Sequence, residues 1–342
     1  MRARLCKFLC AGILCTISFT SLSRAEEVMM ATMSPTGSPS RFVYDQLLSM
    51  IEDKTDGAYT IKPFFNGELG PEESYFQAMR RGRIQLSAIS GQAIGTAVPE
   101  FAILRAPFLF DSFEELAFIY DEFLLDLLAE LFSKKDMIHL QWAANGWENI
   151  YGQKPILRPV DVDGYRIRVP LEPNAALFFG AANADVIQIP FTDIIPSLQT
   201  GLIDGGESTA LMYVQAGLYS EAPHFTETKH GFSLSVYAAN KDWYNHLSAD
   251  VQKAFKDIYL APDKAFPILR RQTNTLLLSV AEQGDLEIHS LSDEERGLWQ
   301  RSTARAVEQI INQAGGRSTE LYDLILAGKQ AFQNTRGGSA SK

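Results

Sequence analysis

The sequence predicts an α/β protein built as two domains, and three observations carry that prediction. Short apolar runs with strand alternation recur between segments whose apolar residues fall at helical spacing. This alternation passes through two rounds along the chain. The chain is also long enough to bury two cores, because taking a 25-residue leader from 342 residues leaves 317.

The leader is read from its pattern. Arg2, Arg4 and Lys7 start the chain, an apolar run follows to about Phe19, and small residues stand at Ser23 and Ala25. This is the form of a secretory signal peptide (1–25) cleaved after Ala25; the apolar run is short for a retained membrane anchor. Cys10 and Cys15 raise a lipoprotein site, but Leu9 and Leu14 precede them where a small residue is wanted. All three cysteines (Cys6, Cys10, Cys15) lie in the leader, so a mature chain has no thiol for a disulfide, a nucleophile or a thiolate metal site. Four of the 31 basic residues and none of the 41 acidic ones lie there too, leaving a net charge of about −14. That balance argues against nucleic acid and anionic membrane surfaces as partners. No later stretch is long and apolar enough to span a bilayer, so no direct membrane insertion of the mature chain is expected.

The elements follow in order. "VMMATM" (28–33) is the first strand, and "SPTGSPS" offers Ser38 or Ser40 to cap a helix carrying Phe42, Val43, Leu47, Leu48 and Ile51, which Gly57 ends. "YTIKPF" (59–64) alternates as a strand, Pro71 opens a second helix, and "IQLSAIS" (84–90) is the third strand. A long amphipathic segment fills 111–133, and "MIHLQWA" (137–143) is another strand. A break near Asn145-Gly146 then separates the second round: strand 165–169, helix 172–181, strand 185–189, helix 192–201 with Thr192 as its cap, and a short strand "LIDG". "FSLSVYAAN" (232–240) is a long strand. Ser248 caps a helix expected from about 250 to 283, and Ser292 with Glu295 forms a capping box for one ending at Gly315-Gly316. Residues 335–342 are expected as a disordered tail.

Catalytic signatures are sparse. The five histidines are scattered with no pair at helical metal spacing, so no zinc site is expected. No phosphate-cradling loop, dinucleotide fingerprint or nucleophile elbow occurs, and "GGEST" (205–209) lacks the second flanking glycine of the elbow. "DVDG" (161–164) starts like a calcium loop but lacks the remaining ligands, and reads as a turn. No cofactor and no catalytic residue is expected.

One stretch stands apart. "YRIRVP" (165–170) sends Arg166 and Arg168 to one strand face and Ile167 and Val169 to the other. An arginine near the end of a buried strand is costly unless an anion meets it. The segment 163–208 around it matches Arg168-Val169-Pro170, Pro190-Phe191-Thr192-Asp193, Leu198-Gln199-Thr200-Gly201 and Asp204-Gly205 in a long signature. On those residues, with "NGELGPEESYFQAMRRG", "APFLF" and the leader, the chain resembles the periplasmic solute-binding proteins of TRAP transporters, the DctP-type family.

That resemblance implies a two-lobed periplasmic-binding-protein (clamshell) fold, with hinge-linked α/β domains and a long connecting helix. Lobe I is expected at 26–145 plus 234–273 and lobe II at 146–233 plus 274–334. It also implies that Arg168 binds the carboxylate of a small organic acid; a salt bridge to a nearby Glu or Asp is the alternative. Phe191 is expected to border the ligand or to pack in the core, and Arg166 to be solvated. Two positions depart from the family pattern. Glu148 stands where many members carry a second carboxylate-binding arginine, and Ser208 stands where asparagine is usual. A carboxylate beside Arg168 disfavours a dianion, so the expected ligand is a monocarboxylate with a cationic amine or several hydroxyls, met by Glu148. Otherwise Glu148 pairs with Arg168 or Arg166, or faces solvent. Trp147 either stacks on ligand or packs at the domain edge, while Ser34, Glu72 and Ser90 are polar wall candidates at strand ends. Arg105 is expected to face solvent from a loop, with a second cation for the ligand as the other option.

The resemblance thus implies an extracytoplasmic solute-binding subunit in the periplasm, without enzymatic activity, that delivers solute to TRAP membrane permease subunits. An extracytoplasmic sensor for a signalling receptor and a secreted α/β enzyme are the competing readings.

Overall fold

The computed structural model describes residues 25–36 and 41–339. The leader, apart from Ala25, lies outside these residues, as do the three cysteines and Ser38 and Ser40. The first round of alternation runs β1 (Glu26–Ala31), α1 (Arg41–Lys54), β2 (Tyr59–Phe64), α2 (Glu72–Arg80), β3 (Leu86–Ser90) and α3 (Gly91–Gly95). It continues as α4 (Phe113–Ile119), a π-helical turn, α5 (Leu125–Ser133) and β4 (Met137–Gly152). The second round runs β5 (Arg166–Val169), α6 (Pro173–Gly180), β6 (Asp185–Gln188), α7 (Ile194–Gln199), β7 (Gly205–Thr209), α8 (Ala210–Gln215) and β8 (His224–Asn240). The chain closes with α9 (Lys241–His246), α10 (Ala249–Asp257), α11 (Pro262–Glu282), β9 (Glu287–Ser290), α12 (Asp293–Ser302), α13 (Ala306–Ala314) and α14 (Ser318–Ser339).

Among the described residues the strands form one mixed sheet in the order β2-β1-β3-β8-β4-β7-β5-β6, with β9 on β8. Its organisation follows from the two long strands. β8 pairs with β3 through Ser235–Ala239 and with β9 through His224–Glu227, while β4 pairs with β7 through Glu148–Gly152. Each long strand therefore serves one half of the sheet at one end and the other half at its other end. Two parallel triplets in the same order, β2-β1-β3 and β6-β5-β7, flank this shared pair. The halves are the two lobes of the fold.

Several boundaries differ from the sequence expectation for identifiable reasons. Asn145-Gly146 is not a break: β4 runs through it, with register shifts at Ala144/Gly146 and on either side. Gly146 has φ +116°, a value that side chains with a Cβ rarely adopt, so the turn-like residues mark a bulge inside a strand. The strand expected at "LIDG" lies further on, as β7. The helix expected over 250–283 is two helices, because Pro262, which has no N–H to donate, starts a new one. The capping box of Ser292 and Glu295 forms, but Thr303–Arg305 separates α12 from α13. Thr192 does not cap α7; its hydroxyl donates to Asp193 Oδ1 at 3.1 Å within a 3-10 turn. Helix α14 continues to Ser339, into the stretch expected as a tail, and residues 340–342 lie outside the described ones.

Alternation assigns the core. Along β8, Phe232, Leu234, Val236 and Ala238 join the apolar layer under α4 and α5, while Tyr237 and Ala239 join that under α1 and α10. In the second lobe, Tyr151 and Phe225 pack with α7 and α8, and Ile150, Ile167 and Val169 pack with Phe178 and Trp299. Helix α11 spans both lobes. Phe266 stacks on Phe113 with ring centroids 4.2 Å apart in the first core, and Leu277 and Val280 sit in the second.

Trp299 is fully buried, stacks on Phe178 at 5.1 Å and donates its Nε1–H to the Leu157 carbonyl at 3.0 Å. Trp299→Ala is therefore expected to cost about 3–5 kcal/mol in denaturant unfolding, the usual penalty for emptying a core tryptophan site. A loss below about 1 kcal/mol would contradict this packing.

Candidate ligand-binding site

The parallel strands β1, β3, β5 and β7 all end at one cleft. In open α/β sheets ligands lie outside such carboxyl ends. Here a cavity of about 190 Å³ opens between the lobes. Its wall includes Ser34 beyond β1, Ser90 at the end of β3, Glu148 on β4, Arg168 on β5, Phe191 beyond β6 and Ser208 on β7, with Glu72 at the start of α2. Trp142, Tyr44, Tyr237 and Tyr259 supply aromatic surface, and Ile268, Leu269 and Gln272 of α11 close one side.

Seven of the eight residues singled out in the sequence thus meet at one cavity. Trp147 does not. It neighbours Glu148 on a strand, so its side chain leaves the cavity face and packs edge-on to Phe232 with centroids 4.6 Å apart. The tryptophan of the wall is Trp142, held by an Nε1–H bond to Asp121 Oδ1 at 2.7 Å.

Arg168 is buried, with 3 % exposure. Its Nε donates to the Ile189 carbonyl at 3.1 Å, which is the guanidinium's only hydrogen bond among the described residues and leaves both Nη atoms open. Among those residues no carboxylate lies within 4 Å of it. Phe191 lies beside it, its ring centroid 6.0 Å from the guanidinium carbon. Burial pushes the guanidinium down from its ordinary value, against the pull of Tyr151, Glu207 and Glu148. Gly206 makes room for the Tyr151 ring, since a Cβ there would stand 2.5 Å from the Tyr151 hydroxyl. Arg166 behaves as a surface residue, pairing with Asp204 at 2.5 Å, about half exposed.

The carboxylates that would otherwise meet Arg168 are held elsewhere. Arg105, expected in solvent, is buried, and its Nη1 lies 2.6 Å from Glu172. Its Nη2 lies 3.5 Å from Glu148 and 3.6 Å from Glu207. Glu148 therefore pairs with neither Arg166 nor Arg168, and it does not face solvent. His230 bonds the second Glu207 oxygen at 3.0 Å and stacks on Phe178 at 4.2 Å. Burial raises Glu148, helped by repulsion from Glu207 and opposed by Arg105. Burial pushes Glu172 up to about 7 despite Arg105. Burial works on Glu207 too, but the bond and charge of His230, with Arg105 and Arg168, hold its carboxyl below the usual range.

Across the cleft, Glu72 is half-buried. It accepts from the Ser90 N–H at 2.7 Å, the Ser90 hydroxyl at 2.6 Å and the Tyr75 hydroxyl at 3.2 Å. Burial raises its carboxyl, partly offset by the Ser90 bonds. Ser90 also caps α3 by accepting from the Ala93 N–H at 3.2 Å. The Ser34 N–H donates to Thr32 Oγ1 at 3.1 Å. The Arg105 network escaped the sequence reading; the one signal available was an arginine set among apolar residues in "LRAPFLF".

A two-lobed sheet protein with a polar, aromatic-walled cleft at its strand ends and an open buried guanidinium defines a solute-binding protein. The chain belongs to the DctP family, Bacterial extracellular solute-binding protein, family 7, which it matches over residues 30–314. This is the solute-binding family of TRAP transporters. It is 26% identical to the ectoine-binding periplasmic protein TeaA of Halomonas elongata over 296 residues, covering 84% of this chain and 85% of that one. It is 23% identical to the C4-dicarboxylate-binding periplasmic protein DctP of Rhodobacter capsulatus over 271 residues, covering 79% and 81%. Among solved structures, the sugar acid binding protein DctPAm of Advenella mimigardefordensis with galactonate superposes with a TM-score of 0.82 at 23% identity, over 90% of this chain and 99% of that one. Among the described residues no helix is long and apolar enough to cross a membrane.

The raised Glu172 carboxyl has a pH consequence. The folded chain keeps this proton to about pH 7, whereas the unfolded chain loses it near the ordinary glutamate value of about 4.5. The unfolded state therefore releases protons first, and rising pH between those values draws the chain toward unfolding. Glu172→Gln removes this group's titration, so the variant gains stability relative to the native sequence between pH 5 and pH 8. Denaturation at both pH values reads the difference; an unchanged difference would contradict the shift.

Proposed function

We propose that this chain is the extracytoplasmic solute-binding subunit of a TRAP transporter. It captures a small organic acid by closing two lobes around Arg168 and delivers it to the membrane permease subunits. The lobes hinge where β4 and β8 cross between halves, and α14, expected in the second lobe, returns to the first, with Leu321 and Ile325 in its core. Removal of the leader at 1–25 places the protein in the periplasm, where it binds without chemical conversion.

The observation that carries this reading is the open guanidinium of Arg168. A buried cation with free Nη donors is poised for a bidentate carboxylate, each charge-assisted bond contributing roughly 1.5–3 kcal/mol net. Phe191 borders the ligand, while Ser34, Ser90 and Ser208 offer hydrogen bonds to its polar groups. Contacts from both lobes favour the closed state over the open one, which is how a ligand drives hinge closure.

Charge in the wall selects the ligand class. Beside Arg168, the cavity carries carboxyl groups from Glu72, Glu148 and Glu207, of which Glu148 and Glu207 lean on Arg105. One ligand carboxylate is matched, whereas a second meets like charge. The ligand is therefore a monocarboxylate bearing a cationic nitrogen or several hydroxyls, with Glu148 and Glu72 taking that second part. The relatives named for ectoine and galactonate bind acids of these two kinds.

A thermal-shift panel of ectoine, galactonate, glucuronate and succinate tests this, because a ligand of the folded state raises stability by mass action. A zwitterionic or polyhydroxylated acid is expected to raise the melting temperature and succinate to leave it unchanged. Tight succinate binding would overturn the ligand class, and absence of any organic acid from native protein, read by mass spectrometry after denaturing release, would count against the function.

A further inference from the structure

A second cluster of chemistry lies away from the cleft, where β9 lines the far end of β8. The pairing is parallel and sets His224 opposite Glu287 and Thr226 opposite His289. Residues two apart on a strand share a face, so His224, Glu287 and His289 all project to the same side. His224 Nδ1 lies 3.1 Å from His289 Nε2 and 3.6 Å from Glu287 Oε2, and His289 Nε2 lies 4.0 Å from the same oxygen. The two imidazoles are largely covered and the carboxylate is 68% exposed.

We propose that His224, Glu287 and His289 form a site for a divalent transition-metal ion of the zinc class, on the edge of the second lobe and separate from the solute cavity. The geometry carries this. A triangle with those three sides has a centre about 2.1 Å from every corner, the bond length zinc makes to imidazole nitrogen and carboxylate oxygen. Two imidazoles and one carboxylate are a donor set suited to zinc, copper or nickel, whereas calcium and magnesium want oxygen alone. Solvent access at Glu287 leaves room for water in the remaining coordination positions.

Without an ion the two rings share a hydrogen bond, their centroids 5.3 Å apart. The ion displaces that hydrogen bond: the donor ring carries its proton on its other nitrogen instead, so that both facing nitrogens present lone pairs to one point beside Glu287. All three donors belong to two adjacent strands, so the ion staples the edge strand β9 and the capped helix α12 behind it to the long strand β8. No helical spacing announces the site, because its histidines are 65 residues apart and meet only through strand pairing.

The test uses tag-free full-length protein stripped with a chelator and desalted. Calorimetric titration with Zn²⁺ is expected to show saturable binding of one ion per chain and, in parallel, a rise in melting temperature. Co²⁺ should give the visible absorption of a low-symmetry nitrogen–oxygen site. His224→Ala and His289→Ala are expected to lose the binding and the melting shift. Glu287→Gln, an exposed change that leaves the sheet intact, should weaken binding. His246→Ala, at a histidine elsewhere, should retain it. Absence of saturable binding, or binding that survives both His224→Ala and His289→Ala, would overturn the proposal and leave the pair as a hydrogen bond alone.

Discussion

The arrangement of this protein depends on keeping one buried positive charge unmatched. Arg168 sits in the wall of the cleft with its Nη atoms open, in a molecule that is acidic overall. Carboxylates are close at hand on β4 and β7, and any of them within bonding distance would quench it. Glu148 and Glu207, the carboxylates on those strands, pair with Arg105 instead, which also holds Glu172. A buried charge stripped of its partner costs about 3–5 kcal/mol, so the two arginines have different duties: one neutralises the wall and the other remains available.

The fold supplies the setting through shared strands. β4 and β8 belong to both lobes, so each brings residues from the first core to the second without an intervening loop. The bulge at Gly146 lies on this path, next to Asn145 and Glu148 of the cavity wall. Helix α11 crosses the same boundary, anchored by Phe266 at one end and Leu277 at the other, and presents Ile268, Leu269 and Gln272 to the cleft between them. These two strands and one helix, each reaching the cavity wall, join the lobes at the cleft, and the chain passes between them again after α12, where Leu321 and Ile325 of α14 pack in the first core.

Much of this was legible in the sequence because it is local. The strand 59–64 carries its own alternation, and the Ser292–Glu295 box its own spacing. Arg168 stands out because a charged residue near the end of an apolar strand needs a reason. Where the reading failed, the deciding partner was distant. Asn145-Gly146 looks like a turn because bulges and turns use the same residues. Arg105 looks like a loop arginine because its acidic partners are separated from it by 43 residues or more. Of the two places open to Trp147, beside the ligand or in the packing at the domain edge, the structure shows the second, because it neighbours Glu148 on a strand and adjacent strand residues point to opposite faces. His224 and His289 looked unrelated until strand pairing brought them together.

The proposed binding rests on the guanidinium of Arg168 gripping the ligand's carboxylate through two parallel donors. Its most direct test is calorimetry of the acid released from the native protein, comparing the native sequence with Arg168→Lys. Lysine keeps the charge but lacks the planar fork, so the account predicts that affinity falls by about tenfold or more while the fold is retained. Undiminished affinity in the lysine variant would contradict it.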